Sequence, residues 1–399
     1  MKTALSKSRY TRYCQCPKSL WLSINKPDEA TVDAGVEARF AEGNVVGDLA
    51  MSLFGDFVEV TTMKDERLDL NAMIAKTREE MLRGTEVICE ASFSYNDGTG
   101  SNYCAVDILR KTADGWAIYE VKSTTSHMAD VATMSKELVD KVEKYAKDIA
   151  FQKWVLVQCG VKVTGTYLVT LNSDYVRQGD LDVQQLFNVI NMQELVENEY
   201  LKVPTQQRLA HTVLQGAEPQ KAIGMHCSDP YQCAFWSYCT HQVGLDLEND
   251  KTTVFDLYRM SAKKKFELFD QGKVTFEDVR HDKLNAKQQV QVECTLNGTE
   301  HIDKQGIQEF LDKVTYPLYF LDFETMQQVL PQFDGTKPYQ QIPFQYSLHY
   351  IQEPGGELKH KEFLAESGVD PRRAIAEALC RDIPADACVL AYNKAFECT

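Results

Sequence analysis

The chain has 399 residues, of which 44% are hydrophobic and 25% charged, a composition typical of a globular protein with two or three domains. Its formal net charge of −15 disfavours a protein that coats nucleic acid indiscriminately, although a local basic groove remains compatible with it. The amino terminus lacks the apolar core of a signal peptide, and no apolar run approaches the roughly 18 residues of a membrane span. We therefore expect a cytoplasmic protein that makes no use of a membrane.

Three β-strands are predicted in succession in the first third of the chain. The stretches "EVICEASFS", "NYCAVDILR" and "DGWAIYEVKSTT" cover residues 86–94, 102–110 and 114–125. The segments between them, "YNDGTG" and "KTADG", are rich in turn-forming residues. Strands joined by tight turns form an antiparallel meander.

The turn lengths predict which residues stand opposite one another in this meander. A symmetric second turn pairs Lys111 with Trp116 and puts Asp107 opposite Glu120, and the first turn puts Glu90 opposite Asp107. Like charges directly opposed across strands are destabilising, so such a row of acids needs a cation. Carboxylate oxygens suit Mg²⁺ or Mn²⁺.

Lys122 follows Glu120 by two residues and lies on the same face of the strand, where it could help to activate an attacking water. A register slip of one residue would instead send an acid to the opposite face. Glu90 would then be a solvated edge residue and Lys122 an ordinary surface lysine. The residues alone leave both interpretations open.

An aspartate, then a strand with Glu-x-Lys, then a helix with a glutamine resembles the PD-(D/E)xK nuclease superfamily, specifically its RecB-like branch. The resemblance implies an α/β restriction-endonuclease-like core, in which helices flank a mixed sheet. It also implies that Asp107, Glu120, Lys122 and the Gln152 of "DIAFQKWVL" are catalytic, with Asp107 and Glu120 binding Mg²⁺ or Mn²⁺.

The stretch "RFAEGNVVGDLA" is similar to the first helix of that branch, where many members carry a metal-binding histidine four residues after a glycine. Counted from Gly43, this sequence has Gly47 at that position. The resemblance then implies that Glu42 or Glu90 completes the metal site.

Twelve cysteines in a reducing compartment indicate metal or redox chemistry more than disulfides. The stretch "HCSDPYQCAFWSYC" carries Cys227, Cys233 and Cys239 with five residues between each pair, and "CQCPKSLWL" near the amino terminus offers Cys14 or Cys16 as a fourth ligand. Such regular spacing favours thiolate ligands of one centre. The alternative is that these cysteines bind no metal and pack in the core as small hydrophobic residues.

Zinc is one metal that such a centre could hold, with His226 or His241 as a possible ligand. One early and three late cysteines, however, resemble the iron–sulfur subset of RecB-like nucleases. That resemblance implies a structural [4Fe–4S] cluster held by Cys227, Cys233, Cys239 and Cys16, which precedes a proline as in the family pattern. The cluster would fasten both ends of the nuclease domain.

A helical connector follows, with apolar residues at helical spacing in "TTVFDLYRMSAKKKFELFDQGKVTFEDV". Its basic run "AKKKF" either touches nucleic acid or forms a solvated helix face, which is the commoner role of such a run.

The last part of the chain carries a second group of acids. The apolar strand "YPLYFLDFET" ends in Asp322 and Glu324, which share one face, and the strand "CVLAYNKAFE" leads to Glu397. The acid pair either caps a strand or binds two metal ions. The two stretches are similar to the first two motifs of DnaQ-like 3′–5′ exonucleases, which have a ribonuclease-H-like fold. The third motif of that family is absent, so we expect an incomplete site, a fragment, or a partner that completes it.

Together these patterns predict a RecB-like nuclease domain with an iron–sulfur cluster over residues 1–245, a helical connector over 246–312 and a partial DnaQ-like domain over 313–399. The predicted function is a metal-dependent deoxyribonuclease, acting as an exonuclease on DNA ends or single strands, with RNA as a second possible substrate. DNA repair, recombination or defence against foreign DNA would be its role. The alternative is an inactive iron–sulfur scaffold that binds nucleic acid or a protein partner, because Gly47 replaces the histidine.

Overall fold

Strands and helices alternate along the chain, and the computed structural model describes residues 4–31, 35–247 and 249–393, with only the backbone for 36–40. The chain forms two compact units, the first comprising Met1–Ser173 and Asp182–Glu300 and the second Asp174–Leu181 and His301–Thr399. Each unit combines a mixed sheet with helices, which confirms the predicted α/β class in its general form.

The strands of the first unit are β1 (Leu5–Ser6), β2 (Val58–Glu59), β3 (Met63–Lys64), β4 (Arg67–Leu68), β5 (Val87–Asn96), β6 (Ser101–Lys111), β7 (Trp116–Ser126), β8 (Val163–Asn172) and β9 (Phe187–Asn191). Its helices are α1 (Lys7–Gln15), α2 (Pro17–Asn25), α3 (Gly35–Ala50), α4 (Leu70–Arg83), α5 (Met128–Thr133), α6 (Lys136–Val142), α7 (Ala146–Gln158), α8 (Val183–Leu186), α9 (Gln193–Tyr200), α10 (Val203–Gln215), α11 (Trp236–Gln242), α12 (Ala262–Asp270), α13 (Phe276–Val279) and α14 (Ala286–Asn297).

The main sheet of the first unit has the strand order β2-β5-β6-β7-β8-β9, and β1 pairs with β6 outside this path. Strands β5, β6 and β7 are antiparallel neighbours, and α7 then leads to β8, which runs parallel to β7. The pairs Asn96–Ser101 and Lys111–Trp116 are those that the turn lengths predict. β1 pairs in parallel with β6 at residues 102–103.

Helix α7 contributes much of the buried core of this unit. Phe151 and Trp154 are buried, and the Phe151 ring stacks on that of Tyr10 in α1 with centroids 4.6 Å apart. This packing fixes α7 and α1 relative to the strands that carry the predicted acids. Of the helices described, none is both long and apolar enough to cross a membrane.

The second unit contains α15 (Lys304–Leu311), α16 (Arg372–Asp382), β10 (Leu318–Gln327), β11 (Gln341–Ile351), β12 (Lys359–Leu364) and β13 (Cys388–Ala391). Its sheet has the order β12-β11-β10-β13, in which β10, β11 and β12 are antiparallel neighbours and β13 is parallel to β10. Ile375 and Ala378 of α16 pack on Tyr319, Tyr346 and Leu348, so α16 covers one face of this sheet.

Candidate active site and cysteine centre

Asp107 and Glu120 lie where the hydrogen-bonded ladder between β6 and β7 ends. The ladder between these strands ends at the pair Ile108–Tyr119, one pair short of Asp107 and Glu120. Beyond that point the N–H of Val121 donates a hydrogen bond to Asp107 Oδ2 at 2.7 Å. The register is the predicted one, and Lys7 approaches the carboxylates of both acids.

Glu90 departs from ideal strand geometry at the position predicted to oppose Asp107. Its neighbours pair as Cys89–Ile108 and Ala91–Val106, but Glu90 has a φ of 58° and is left out of the ladder. A positive φ at a residue other than glycine costs about 1–3 kcal/mol and is commonest at functional sites. Burial and the nearby carboxylate of Asp107 raise the pKa of Glu90 to about 7.

Two lysines neutralise Glu120, whose side chain is fully buried. Lys7 Nζ lies 2.8 Å from Glu120 Oε1, 3.0 Å from Glu120 Oε2 and 3.7 Å from Asp107 Oδ1. Lys122 Nζ lies 2.6 Å from Glu120 Oε1. The predicted pair of Glu120 and Lys122 is therefore an ion pair, and Lys7 is a second cation at the same carboxylate.

These contacts drive the pKa values of the two acids apart. Burial alone would raise the pKa of Glu120, but the ammonium groups of Lys122 and Lys7 outweigh it and lower the pKa to about 2. Burial, followed by the charge of Glu120, raises the pKa of Asp107. Adjacent carboxylates with opposite shifts are typical of sites where charge is used chemically.

Helix α7 brings two further polar residues to this group. Gln152 Nε2 donates a hydrogen bond to Glu120 Oε2 at 2.7 Å, while its buried Oε1 has no hydrogen-bond partner among the described residues. One turn earlier, Asp148 Oδ2 lies 3.4 Å from Lys122 Nζ. Gln152 thus lies where the sequence predicts a catalytic glutamine.

The sequence did not identify Lys7 or Asp148 as members of this group. Asp148 precedes Gln152 by four residues on a helix, so the shared helix face was a signal that could have found it. Lys7 reaches the acids because β1 pairs with β6, and a two-residue strand leaves no periodic pattern in the sequence.

Glu42 lies on α3 and is half-buried. In the described part of the chain no ion pair or hydrogen bond joins it to Asp107 or Glu120. A Cβ at Gly47 would meet no described atom within 4 Å, so packing does not require glycine there. Within residues 4–31, 35–247 and 249–393, no three side chains of His, Cys, Asp and Glu are close enough to hold a metal ion as they stand.

The four cysteines predicted to form one centre line a single recess, and two of them, Cys16 and Cys227, are buried. Cys233 and Cys239 are half-buried. Cys16 ends α1 and is the N-cap of α2, and burial raises the pKa of its thiol although the backbone N–H groups of Lys18 and Ser19 act in the opposite direction. Burial raises the pKa of Cys227 to about 11. Raised pKa values keep the thiols of Cys16 and Cys227 protonated, and no three of the four cysteines are close enough, among the described residues, to hold a metal ion as they stand.

Other candidate ligands are placed differently. Cys14 does not line the recess. Its sulfur lies 3.6 Å from Gln206 Oε1. His226 lines the recess, with Nε2 3.7 Å from the sulfur of Cys227. His241 is exposed and lies 3.4 Å from Asp246 Oδ1.

The acids of the second unit are in a different environment. Asp322 and Glu324 are exposed on β10, on the sheet face opposite α16, where they stand across from Ser347 and Gln345 of β11. Glu397 lies outside the described residues. The basic run over 262–266 begins α12, with Phe266 buried and Lys263 and Lys264 exposed.

Part of the chain is similar to a described protein family. A family model described as a domain of unknown function (DUF2779) matches residues 319–399, which lie in the second unit. No curated protein matches the chain.

Proposed function

We propose that the protein is a metal-dependent DNA nuclease whose active site is formed by Asp107, Glu120, Lys122 and Gln152. The observation that carries this proposal is the convergence of an acid from β6, a Glu-x-Lys pair from β7 and a glutamine from α7. The order of an antiparallel meander, a helix and a parallel strand further supports a restriction-endonuclease-like core.

The carboxylates of Asp107 and Glu120 supply oxygen ligands of the kind that Mg²⁺ and Mn²⁺ prefer. A divalent ion bound there would make water a better nucleophile and stabilise negative charge on the phosphodiester. Gln152 holds the Glu120 carboxylate in one orientation through its amide N–H. Lys122 keeps Glu120 ionised and places a positive charge beside the acids. Glu90 or Glu42 would provide a further ligand.

The four cysteines of the recess would hold a [4Fe–4S] cluster in this proposal. Such a centre would join α2, near the amino terminus, to the segment before and within α11. Its role is structural, because it cross-links parts of the chain that are about 200 residues apart. Zinc with His226 as a ligand is the rival occupant.

The second unit is proposed to have a ribonuclease-H-like fold. A three-stranded antiparallel meander followed by a helix and a strand parallel to the first supports this assignment. Asp322 and Glu324 lie at exposed positions of β10, as expected for an acid site that is not completed by the described residues.

A non-catalytic iron–sulfur scaffold that binds DNA or a partner nuclease is the second candidate function. The contact of Lys7 with both acids favours it, because a permanent ion pair would keep a metal ion out.

Cleavage assays separate these two functions. Protein purified without oxygen would be incubated with Mn²⁺ and labelled single-stranded DNA, double-stranded DNA or RNA. We expect the parent to degrade DNA and Asp107→Asn to lose at least about 100-fold in rate, because it lacks a ligand charge. Asp114→Asn, in the exposed turn between β6 and β7, is the matched control. Equal cleavage by the parent and Asp107→Asn would show that this site is not the active site.

A further inference from the structure

Lys7 occupies the space between the two carboxylates that the proposed function assigns to a metal ion. Its ammonium nitrogen contacts both oxygens of Glu120, at 2.8 and 3.0 Å, and approaches Asp107 Oδ1 to 3.7 Å. Mg²⁺ binds such oxygens at about 2.0–2.1 Å. An ammonium group and a divalent ion repel each other, so a metal ion placed between the two carboxylates competes with Lys7 for that space.

The backbone beside Lys7 is held by strand pairing, but the Lys7 side chain can move towards solvent. Leu5 and Ser6 pair with β6, and Ser6 caps α1 by accepting a hydrogen bond from the N–H of Arg9 at 3.3 Å. The Lys7 side chain is 23% exposed, whereas that of Glu120 is fully buried. A lysine carries its ammonium group on a flexible stem of four carbons, so this group can move to solvent while α1 stays in place.

The surrounding charges favour a doubly charged ion over Lys7. Among the described residues, the ammonium groups that act most strongly on Asp107, Glu120 and Asp148 are those of Lys7 and Lys122, and Glu90 lies in the same group of acids. Lys122 already contacts Glu120 at 2.6 Å, so Glu120 keeps a counter-charge when Lys7 leaves. A divalent ion in place of Lys7 would balance the acids better.

We propose that Lys7 is an internal counter-cation that a divalent metal ion displaces from Asp107 and Glu120. It holds the acids together in the metal-free protein and lowers the affinity of the site for metal, so that the site fills only at a higher metal concentration. This inference rests on the proposed function, because it takes the two acids to be metal ligands.

Manganese binding tests the competition without any measurement of cleavage. Free Mn²⁺ would be titrated with the parent, Lys7→Gln, Glu120→Gln and Lys202→Gln and measured by electron paramagnetic resonance. Removing one charge at contact distance should tighten binding in Lys7→Gln by about tenfold or more. Lys202→Gln makes the same change of charge at an exposed lysine paired with Glu199 and should bind as the parent does.

The outcomes distinguish the inference from the proposed function. If Lys7→Gln binds Mn²⁺ no tighter than the parent while Glu120→Gln binds it more weakly, the acids hold a metal but Lys7 does not compete with it. If Glu120→Gln binds Mn²⁺ as the parent does, the proposed metal site is wrong and the inference falls with it.

A second measurement uses the parent alone and does not depend on a variant folding. Lysines would be acetylated with and without Mn²⁺, and the modified fraction of each would be read by mass spectrometry. We expect Lys7 to become several-fold more reactive with Mn²⁺, because its ammonium leaves the carboxylates, while Lys202 stays unchanged. Equal labelling of Lys7 in both conditions would overturn the displacement.

Discussion

Both units carry acids on the strands of a mixed sheet, but Glu120 of the first unit and Asp322 of the second are in contrasting surroundings. Glu120 is fully buried between the ammonium groups of Lys7 and Lys122 and accepts a hydrogen bond from Gln152. Asp322 is exposed on an open sheet face. The comparison shows how burial and charged partners together change the environment of an acid. A sequence pattern of acids does not by itself indicate that environment.

Removing the buried charge should have the largest effect on stability. Glu120→Gln leaves the ammonium groups of Lys7 and Lys122 without their main counter-charge, so we expect the free energy of unfolding of the first unit to fall by about 3–5 kcal/mol. All four tryptophans belong to this unit, so their fluorescence during urea unfolding reports on it alone. Glu324→Gln, at an exposed position of the second unit, should change stability by less than about 0.5 kcal/mol. If Glu120→Gln were as stable as the parent, the buried acid of the first unit would contribute no more to stability than the exposed acid of the second.

The cysteines extend the same contrast, because four of those in the first unit line one recess whereas Cys380 of the second unit is exposed. Cys233→Ser should lose its iron and brown colour and about 2–5 kcal/mol of stability, by analogy with the loss of a long-range cross-link. Iron analysis, visible absorption and urea unfolding after oxygen-free purification would measure this.

Cys380→Ser should keep its iron, and Cys14→Ser should be much milder than Cys16→Ser, because Cys14 does not line the recess. A colourless parent with stoichiometric zinc would contradict the choice of iron. Equal iron loss in Cys14→Ser and Cys16→Ser would contradict the choice of fourth ligand.

The second unit also contains a buried acid, Asp382. A substitution there tests whether burial of an acid affects stability in the second unit as is expected in the first. Asp382 accepts hydrogen bonds from Tyr346 Oη at 2.6 Å and Lys361 Nζ at 3.1 Å. Asp382→Asn should destabilise this unit by about 1–3 kcal/mol, because it weakens these bonds. Hydrogen exchange of β11 and α16, followed by mass spectrometry, would detect faster exchange in the variant.

The same residue predicts a dependence on pH. Burial would raise the pKa of Asp382, but Tyr346 and Lys361 outweigh it and lower the pKa below its usual range. The unfolded chain therefore binds the proton more readily, so the stabilisation is present above a pH of about 4 and is lost as the pH falls through the folded pKa. Asp382→Asn should lack this acid-dependent loss. An equal loss in both proteins would assign it to other groups.

The smallest effect is expected at the exposed acids. Asp322→Ala should leave DNA cleavage within about twofold of the parent and stability within about 0.5 kcal/mol, because Asp322 is solvated and away from the sheet face that α16 covers. A marked loss of cleavage with fold and metal content intact would show that the second unit contributes an active site.

The sequence predicted the meander and its register because turn residues and strand alternation are local signals. It therefore anticipated that Asp107 and Glu120 share one part of the sheet. It could not predict the positive φ of Glu90, which depends on how β5 is distorted beside β6. It also missed Lys7, because the pairing of β1 with β6 joins segments about 100 residues apart and leaves no periodic pattern.

The recess that contains Cys16 and Cys227 also constrains how the protein is made. Residues 4–191 contain every strand of the main sheet, but α2 receives partners from a much later segment, such as Gly216, whose carbonyl oxygen accepts a hydrogen bond from Trp21 Nε1 at 3.0 Å. At a translation rate of about 5–20 residues per second, the roughly 220 residues from Cys16 to Cys239 take about 10–45 s to synthesise. Throughout that interval Cys16 is a thiol without its partners on a nascent chain, and reagents or chaperones that meet it then compete with assembly of the recess.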